Sequence, residues 1–142
     1  MNKFQLDSRL AEDCFYLGEV TSGMLLLSKN ASVLWTIIVP RLEGDEDVVD
    51  FTDLPQDQQH RILDDAKQIA GVMKSQYQVD KINVGSIGNV VSQMHYHVVG
   101  RFQSDPYWPG VVWGQTAQRS YQDNEVQTLK AKLLDSGVIT DS

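Results

Sequence analysis

The chain has 142 residues, 42% of them hydrophobic and 22% charged, with a formal net charge of −7. That length suits one domain with a core that needs no staples, because a chain near this size buries roughly 70% of its unfolded surface. The acidic balance argues against binding DNA or RNA polymers, which depends on basic patches, and the single cysteine, Cys14, excludes an internal disulfide and a cysteine-rich zinc cage.

Residues 1–7 carry no long apolar run and no small-residue cleavage site, so no signal peptide is expected. The longest apolar runs, 24–27 and 37–40, are far shorter than the roughly 20 residues that span a bilayer. Residues 4–20 are polar with scattered apolar positions, and the spacing of Leu10, Cys14 and Leu17 predicts a short helix or an irregular segment. Ser22-Gly23 reads as a turn. The short apolar run 24–28 predicts a buried strand, and 29–32 is a polar interruption. Residues 33–39 are rich in β-branched and aromatic side chains, end at Pro40 and form the clearest strand; the two strands pair as an antiparallel hairpin.

The connection 41–49 is charged, and its acidic cluster Asp45, Glu46 and Asp47 reads as a solvated loop. Thr52 or Asp53 is expected to cap a helix whose first turn holds Pro55. Ile62, Ala66, Ile69, Ala70, Met73 and Tyr77 recur at three- and four-residue spacing and give that helix one apolar face over about residues 55–77. His60 falls on its polar side. Residues 81–84 form a short strand, 85–89 a loop with two glycines, and 90–102 a further strand. An aromatic turn, 105–110, follows. A helix is expected over 122–134, with Val126, Leu129, Leu133 and Leu134 on one side. Antiparallel strands with two or three helices give an α+β fold.

Two of the three histidines lie two residues apart, in Gln93-Met94-His95-Tyr96-His97-Val98-Val99. On a strand Gln93, His95 and His97 would share one face, with neighbouring imidazoles about 7 Å apart. Such a pair titrates near neutrality and suits nucleophilic or acid–base chemistry. A neutral imidazole attacks through one nitrogen while an acceptor holds the proton on the other. The glycine loop offers backbone N–H groups for a phosphate, and Asn83 and Asn89 add amide donors. From the residues alone, a nucleotide-binding module, a His-x-His metal site and a pair of hydrogen-bonded core histidines remain open.

That segment resembles the signature of the histidine triad (HIT) family of nucleotide hydrolases and transferases, His-x-His-x-His followed by two apolar residues. The second and third histidines match His95 and His97; glutamine, Gln93, stands at the first. The likeness runs in order over about residues 4–114. It takes in the hairpin before Pro40, the long helix after Asp53-Leu54, the 83–89 loop, Gly100-Arg101 and Trp108-Pro109-Gly110. It looks most like a bacterial subgroup that combines Gln-x-His-x-His with a Trp-Pro-Gly turn. Residues 115–142 then form a C-terminal extension with a helix, within a single HIT-like domain spanning 1–142.

The resemblance implies an antiparallel meander of about five strands with the long helix packed on it, usually as a homodimer. It implies a cytoplasmic enzyme acting on a small nucleoside phosphate derivative, with no nucleic-acid polymer, membrane, metal or organic cofactor involved in the covalent step. His95 maps to the nucleophile that attacks the α-phosphorus and carries the nucleotide as a nucleotidyl-histidine. His97 maps to the phosphate-contacting position, and a protonated His97 is expected to keep His95 neutral. Gln93 takes an orienting place beside them. Asn83, Gly88 and Asn89 fall in the phosphate-binding region, and Ser28, with Asn30, in the ribose-binding one. The sequence also departs from the family at Trp35, where many members place histidine, and at Val90, where a serine or threonine is common.

Overall fold

The computed structural model describes residues 4–42 and 44–140. A short helix α1 (Ser8–Asp13) leads into strands β1 (Cys14–Glu19), β2 (Gly23–Ser28) and β3 (Leu34–Pro40). Helix α2 (Gln56–Tyr77) then crosses to β4 (Lys81–Gly85), β5 (Tyr96–Arg101) follows, and α3 (Asp123–Asp135) closes the chain. The strands form one antiparallel sheet of order β1-β2-β3-β5-β4. This is the α+β architecture expected, with five strands and the long helix packed on them.

Period-two alternation divides the central strands into two buried faces. Leu25 and Leu27 of β2, Leu34 and Ile38 of β3, and Tyr96 and Val98 of β5 pack against Ile62, Ala66, Ile69, Val72 and Met73 of α2. Each such side chain fully buried contributes about 1.5–3 kcal/mol. On the opposite face, Met24, Leu26, Ile37 and Val39 are covered by Leu10 and Cys14, with Phe4 and Leu6 from the N-terminal segment beside them. Val99 lies further along that face with Val33, Tyr107 and Val112, and Trp35 and Trp113 pack against them. Ile37 pairs with His97, so the histidine sits on this second face, where the two smaller clusters meet.

The structure corrects three expectations. Residues 14–19 form a strand, not helix or irregular chain. A register shift between Tyr16 and Gly18 breaks the alternation, leaving Leu17 and Gly18 both buried, so the period-two signal is lost. The strand expected over 90–102 runs only from Tyr96 to Arg101. Ile38 pairs with Tyr96, so Met94 would have to pair with Pro40, which has no N–H to donate. Finally, neither Thr52 nor Asp53 caps α2. A 3-10 turn, Phe51–Asp53, comes first, Pro55 is itself the capping residue, and Gln59 Nε2 donates to the carbonyls of Phe51, Thr52 and Leu54.

Two tight joints fix the frame. Asp65 of α2 is buried, and its carboxylate accepts from the N–H and hydroxyl of both Thr21 and Ser22 at 2.5–3.3 Å. Next to that turn, Gly23 lies so close to β3 that a Cβ would stand 2.2 Å from the Val39 carbonyl oxygen, which only glycine allows. The C-terminal helix starts with a capping box between Gln122 and Glu125 and buries Val126, Leu129 and Leu133. Thr140 then bridges to Glu19 on the outer edge of β1.

Candidate active site

The segment before β5 is held from outside the sheet. Gln93 donates from Nε2 to the Gln5 carbonyl at 2.9 Å and accepts from the Asp7 N–H at 2.8 Å. Arg9 donates from Nη1 to the Val90 carbonyl at 3.1 Å. On the other flank, Ser86 donates its hydroxyl to the His95 carbonyl at 3.1 Å. The N-terminal segment and the β4–β5 loop thus clamp the main chain that carries His95.

His95 and His97 lie closer together than strand spacing gives. Their ring centroids are 4.9 Å apart and the planes are inclined at 71°. Both residues are buried, at 6% and 5% exposure, yet both line a cleft. His95 Nδ1 stands 2.6 Å from the Gln93 carbonyl oxygen. A carbonyl only accepts, so in the neutral ring Nδ1 carries the proton and Nε2 keeps its lone pair. His97 is bound in the opposite sense. Its Nδ1 accepts the indole N–H of Trp35 at 2.9 Å, which places the proton of the neutral ring on Nε2.

Burial, and then the neighbouring His95, push the His97 imidazole down to about 3. His97 is therefore neutral throughout the physiological range. The expectation of a protonated His97 is overturned: burial and the indole donor leave no place for a second proton on Nδ1. Aromatic rings complete the enclosure. Trp113 packs edge-on against His97 at 5.4 Å and against Trp35 at 6.3 Å between centroids. Its buried indole N–H has no hydrogen-bond partner among the described residues, a donor that a ligand's acceptor would satisfy.

The cleft measures about 270 Å³ and is walled by Ile87, Gly88, Asn89, Val90, Val91, His95, His97, Trp113 and Gly114. That is near the lower end of small-molecule sites, about 300–1,000 Å³. Of the residues singled out in the sequence, His95, His97, Gly88 and Asn89 come together here. Gly88 turns the loop with φ +68°, in the left-handed region.

Gln93, Asn83 and Ser28 do not join them. The Gln93 side chain is bonded to residues 5–7 and does not line the cleft, so its expected orienting place beside the two rings is corrected, and it meets His95 through its carbonyl alone. Asn83 lies within β4 and accepts from Arg101 Nη1 at 3.0 Å. Ser28 ends β2, where its hydroxyl oxygen accepts the Asn30 N–H at 3.2 Å. Asn30 is engaged in turn with Tyr107 and Ser32.

Trp113 also lines the cleft, and the motif spacing does not mark it. Its order in the chain, soon after the Trp-Pro-Gly turn, carries no sign of its destination. That turn is anchored by Asp105, buried with Arg101. Asp105 takes Arg101 Nε and Nη2 at 2.9 and 3.0 Å, together with the N–H groups of Phe102, Tyr107 and Trp108. Ser92 lines a different cleft, with Gln5, Asp7, Glu46 and Asp47, and so does not replace the hydroxyl missing at Val90. Among the described residues, no group of three or more His, Cys, Asp or Glu side chains is placed to hold a metal ion, and no helix is long and apolar enough to cross a membrane.

Comparisons with known proteins agree with this fold. The HIT domain model matches residues 10–104. No curated protein sequence matches the chain significantly. Among solved structures, a histidine triad protein from Marinobacter aquaeolei VT8 is 37% identical, with a TM-score of 0.85 over 95% of this chain and 96% of that one. A histidine triad protein from Bradyrhizobium japonicum is 31% identical, with a TM-score of 0.85 over 93% and 96%. One from Sinorhizobium meliloti 1021 is 30% identical, with a TM-score of 0.86 over 94% and 96%.

Proposed function

The chain belongs to the histidine triad family, and from that premise we propose that it is a nucleotide hydrolase or transferase with His95 as its nucleophile. The observation that carries this is the contact between His95 Nδ1 and the Gln93 carbonyl, 2.6 Å long, on the wall of the cleft. In the neutral ring it holds the proton on Nδ1 and leaves the Nε2 lone pair free to attack phosphorus. Attack on the α-phosphate of a nucleoside phosphate derivative forms a P–N bond and expels the group on the far side of phosphorus. Water then breaks the P–N bond, its proton goes to solvent, and a nucleoside monophosphate leaves.

Charge developing on the phosphoryl oxygens needs donors already in place. The His97 Nε2–H, the Trp113 indole N–H, the Asn89 amide and the N–H groups of the Gly88 turn are the ones this cleft offers. A neutral donor at His97 suits the task, since it neither repels nor protonates the attacking ring. The covalent step needs no metal or organic cofactor. The reading carries with it a small nucleotide as partner, a homodimeric cytoplasmic protein, and neither a nucleic-acid polymer nor a membrane as ligand.

The test is release of nucleoside monophosphate from dinucleoside polyphosphates and 4-nitrophenyl nucleoside phosphates by the wild type and by His95→Ala. Turnover by the wild type that falls more than about 10³-fold in the variant, as loss of a nucleophile commonly gives, supports the reading. A variant within tenfold of the wild type, or no turnover by either, contradicts it. The last result would favour a nucleotide-binding module of the same fold, a reading that the scarcity of ionisable groups along the cleft supports.

A further inference from the structure

We propose that this site supplies no proton to the leaving group, and that its substrates are therefore nucleoside phosphates joined to weakly basic leaving groups: carboxylates, phosphates or acidic phenols, not alkoxides. The inference rests on the preceding assignment of His95 as nucleophile, and it follows from where the protons of this cleft are held. Among the described residues that line it, His95 and His97 are the only ionisable side chains. The proton on His95 Nδ1 is committed to the Gln93 carbonyl, and Nε2 becomes bonded to phosphorus. His97 Nδ1 is occupied by the Trp35 N–H, so this ring offers the N–H of a neutral imidazole, a hydrogen-bond donor and a very weak acid.

The other positions that could carry an acid are turned away or lack one. Gln93, at the first motif position, is spent on the Gln5 carbonyl and the Asp7 N–H, and an amide has no proton to give in any case. Val90 lines the cleft without a hydroxyl. The Ser86 hydroxyl is donated to the His95 carbonyl. Asp7 and Arg9, on the N-terminal segment that holds the His95 strand, are paired with each other at 3.1 Å. Arg9 also donates to the Val90 carbonyl, and a guanidinium is not an acid in this range.

The step balances without an acid. The His95 Nε2 lone pair forms the P–N bond while the bond from phosphorus to the leaving group breaks. The leaving group keeps that electron pair and departs as an anion. Departure is then governed by the basicity of that anion. An acid in the right place would recover about 10²–10⁴-fold for a basic leaving group, and this cleft forgoes that gain.

The experiment uses a series of nucleoside 5′-phosphate esters with 4-nitrophenyl, phenyl and alkyl leaving groups. Two quantities are read for the wild-type protein: kcat/KM, which reports the steps up to loss of the leaving group, and the nucleotide adduct on His95 by mass spectrometry. The expected result is an adduct with the 4-nitrophenyl ester and a fall in kcat/KM of at least about 100-fold to the phenyl ester, the lower end of what an acid would recover. The alkyl ester should fall further still. An adduct accompanied by kcat/KM values within tenfold across the aryl pair would show that a proton is supplied, and would overturn this inference while leaving His95 as nucleophile. No adduct and no turnover even with the 4-nitrophenyl ester would overturn the assignment of His95 and the inference with it.

Discussion

Trp35 shows how one residue sets the chemistry of its neighbour. It stands on β3, and its indole N–H can only donate. His97 Nδ1 must therefore accept, and the ring is held as one tautomer. Trp35→Phe keeps the packing against Trp113 but removes that donor. A buried acceptor left unsatisfied costs about 1–3 kcal/mol, and the His97 ring regains freedom to invert its tautomer. We expect kcat/KM to fall about tenfold, toward the lower end of that range. Unchanged kinetics in that variant would show that the hydrogen bond plays no part.

Gln93 makes the complementary point. Gln93→His restores the family signature on paper, yet the residue it replaces holds residues 5–7 through two main-chain hydrogen bonds. The expected outcome is a lower melting temperature and no gain in kcat/KM. A variant faster than the wild type would mean that this side chain belongs to the reacting groups after all.

At the scale of elements, the joint between α2 and the β1–β2 turn carries more than its size suggests. Asp65 gathers four donors from Thr21 and Ser22 in a buried setting. Asp65→Ala strands those donors, and a loss of about 3 kcal/mol is expected, since bonds to a charged group are worth about 1.5–3 kcal/mol and the stranded partners add to the cost. In urea denaturation the midpoint should fall while the slope stays constant. A change below about 0.5 kcal/mol, the size of an ordinary surface substitution, would show the joint to be dispensable.

The same scale explains what could be read from the chain. The hairpin of β2 and β3, the long apolar face of α2, the strand β4 and the last helix follow from local periodicity, and all lie near where that periodicity puts them. What could not be read depends on contacts distant in sequence. β1 hides behind the shift at Tyr16 and Gly18. The truncation of β5 comes from Pro40, more than fifty residues earlier, and from Gln5, Asp7 and Arg9 at the N-terminus. Val72, three residues after Ile69, belongs to the same apolar stripe of α2 and adds to it, whereas Asp65 escapes a reading of periodicity because a buried carboxylate is legible only with its donors.

For the candidate site, the motif spacing brought out His95 and His97, and the glycine loop brought out Gly88 and Asn89. The opposite hydrogen-bond senses of the two rings were beyond reach, since they depend on a carbonyl and an indole whose placement only the folded sheet sets. Asn83 and Ser28 were singled out for their polar groups, and the fold spends those groups on Arg101 and Asn30 instead.

For the whole molecule, the buried neutral His97 couples folding to pH. Its pKa falls from an ordinary 6.5 to about 3 in the folded state, so the unfolded chain binds the proton more readily between those values. Stability should therefore be fully present above about 6.5 and decline as the pH falls toward about 3, at up to about 1.4 kcal/mol per pH unit. His97→Asn retains an acceptor for the Trp35 N–H but cannot titrate. Its unfolding free energy, measured in urea between pH 7 and pH 4, should fall less steeply than that of the wild type. Parallel curves would show that His97 is charged in the folded protein.

The central claim is that His95 becomes covalently bound to a nucleotide, and mass spectrometry after a brief mixing with a 4-nitrophenyl nucleoside phosphate at neutral pH tests it most directly. The account predicts a mass increase of one nucleotidyl group, mapped to the peptide containing His95, present in the wild type and absent from His95→Ala. An adduct located elsewhere, or hydrolysis without any adduct on rapid quenching, would contradict it.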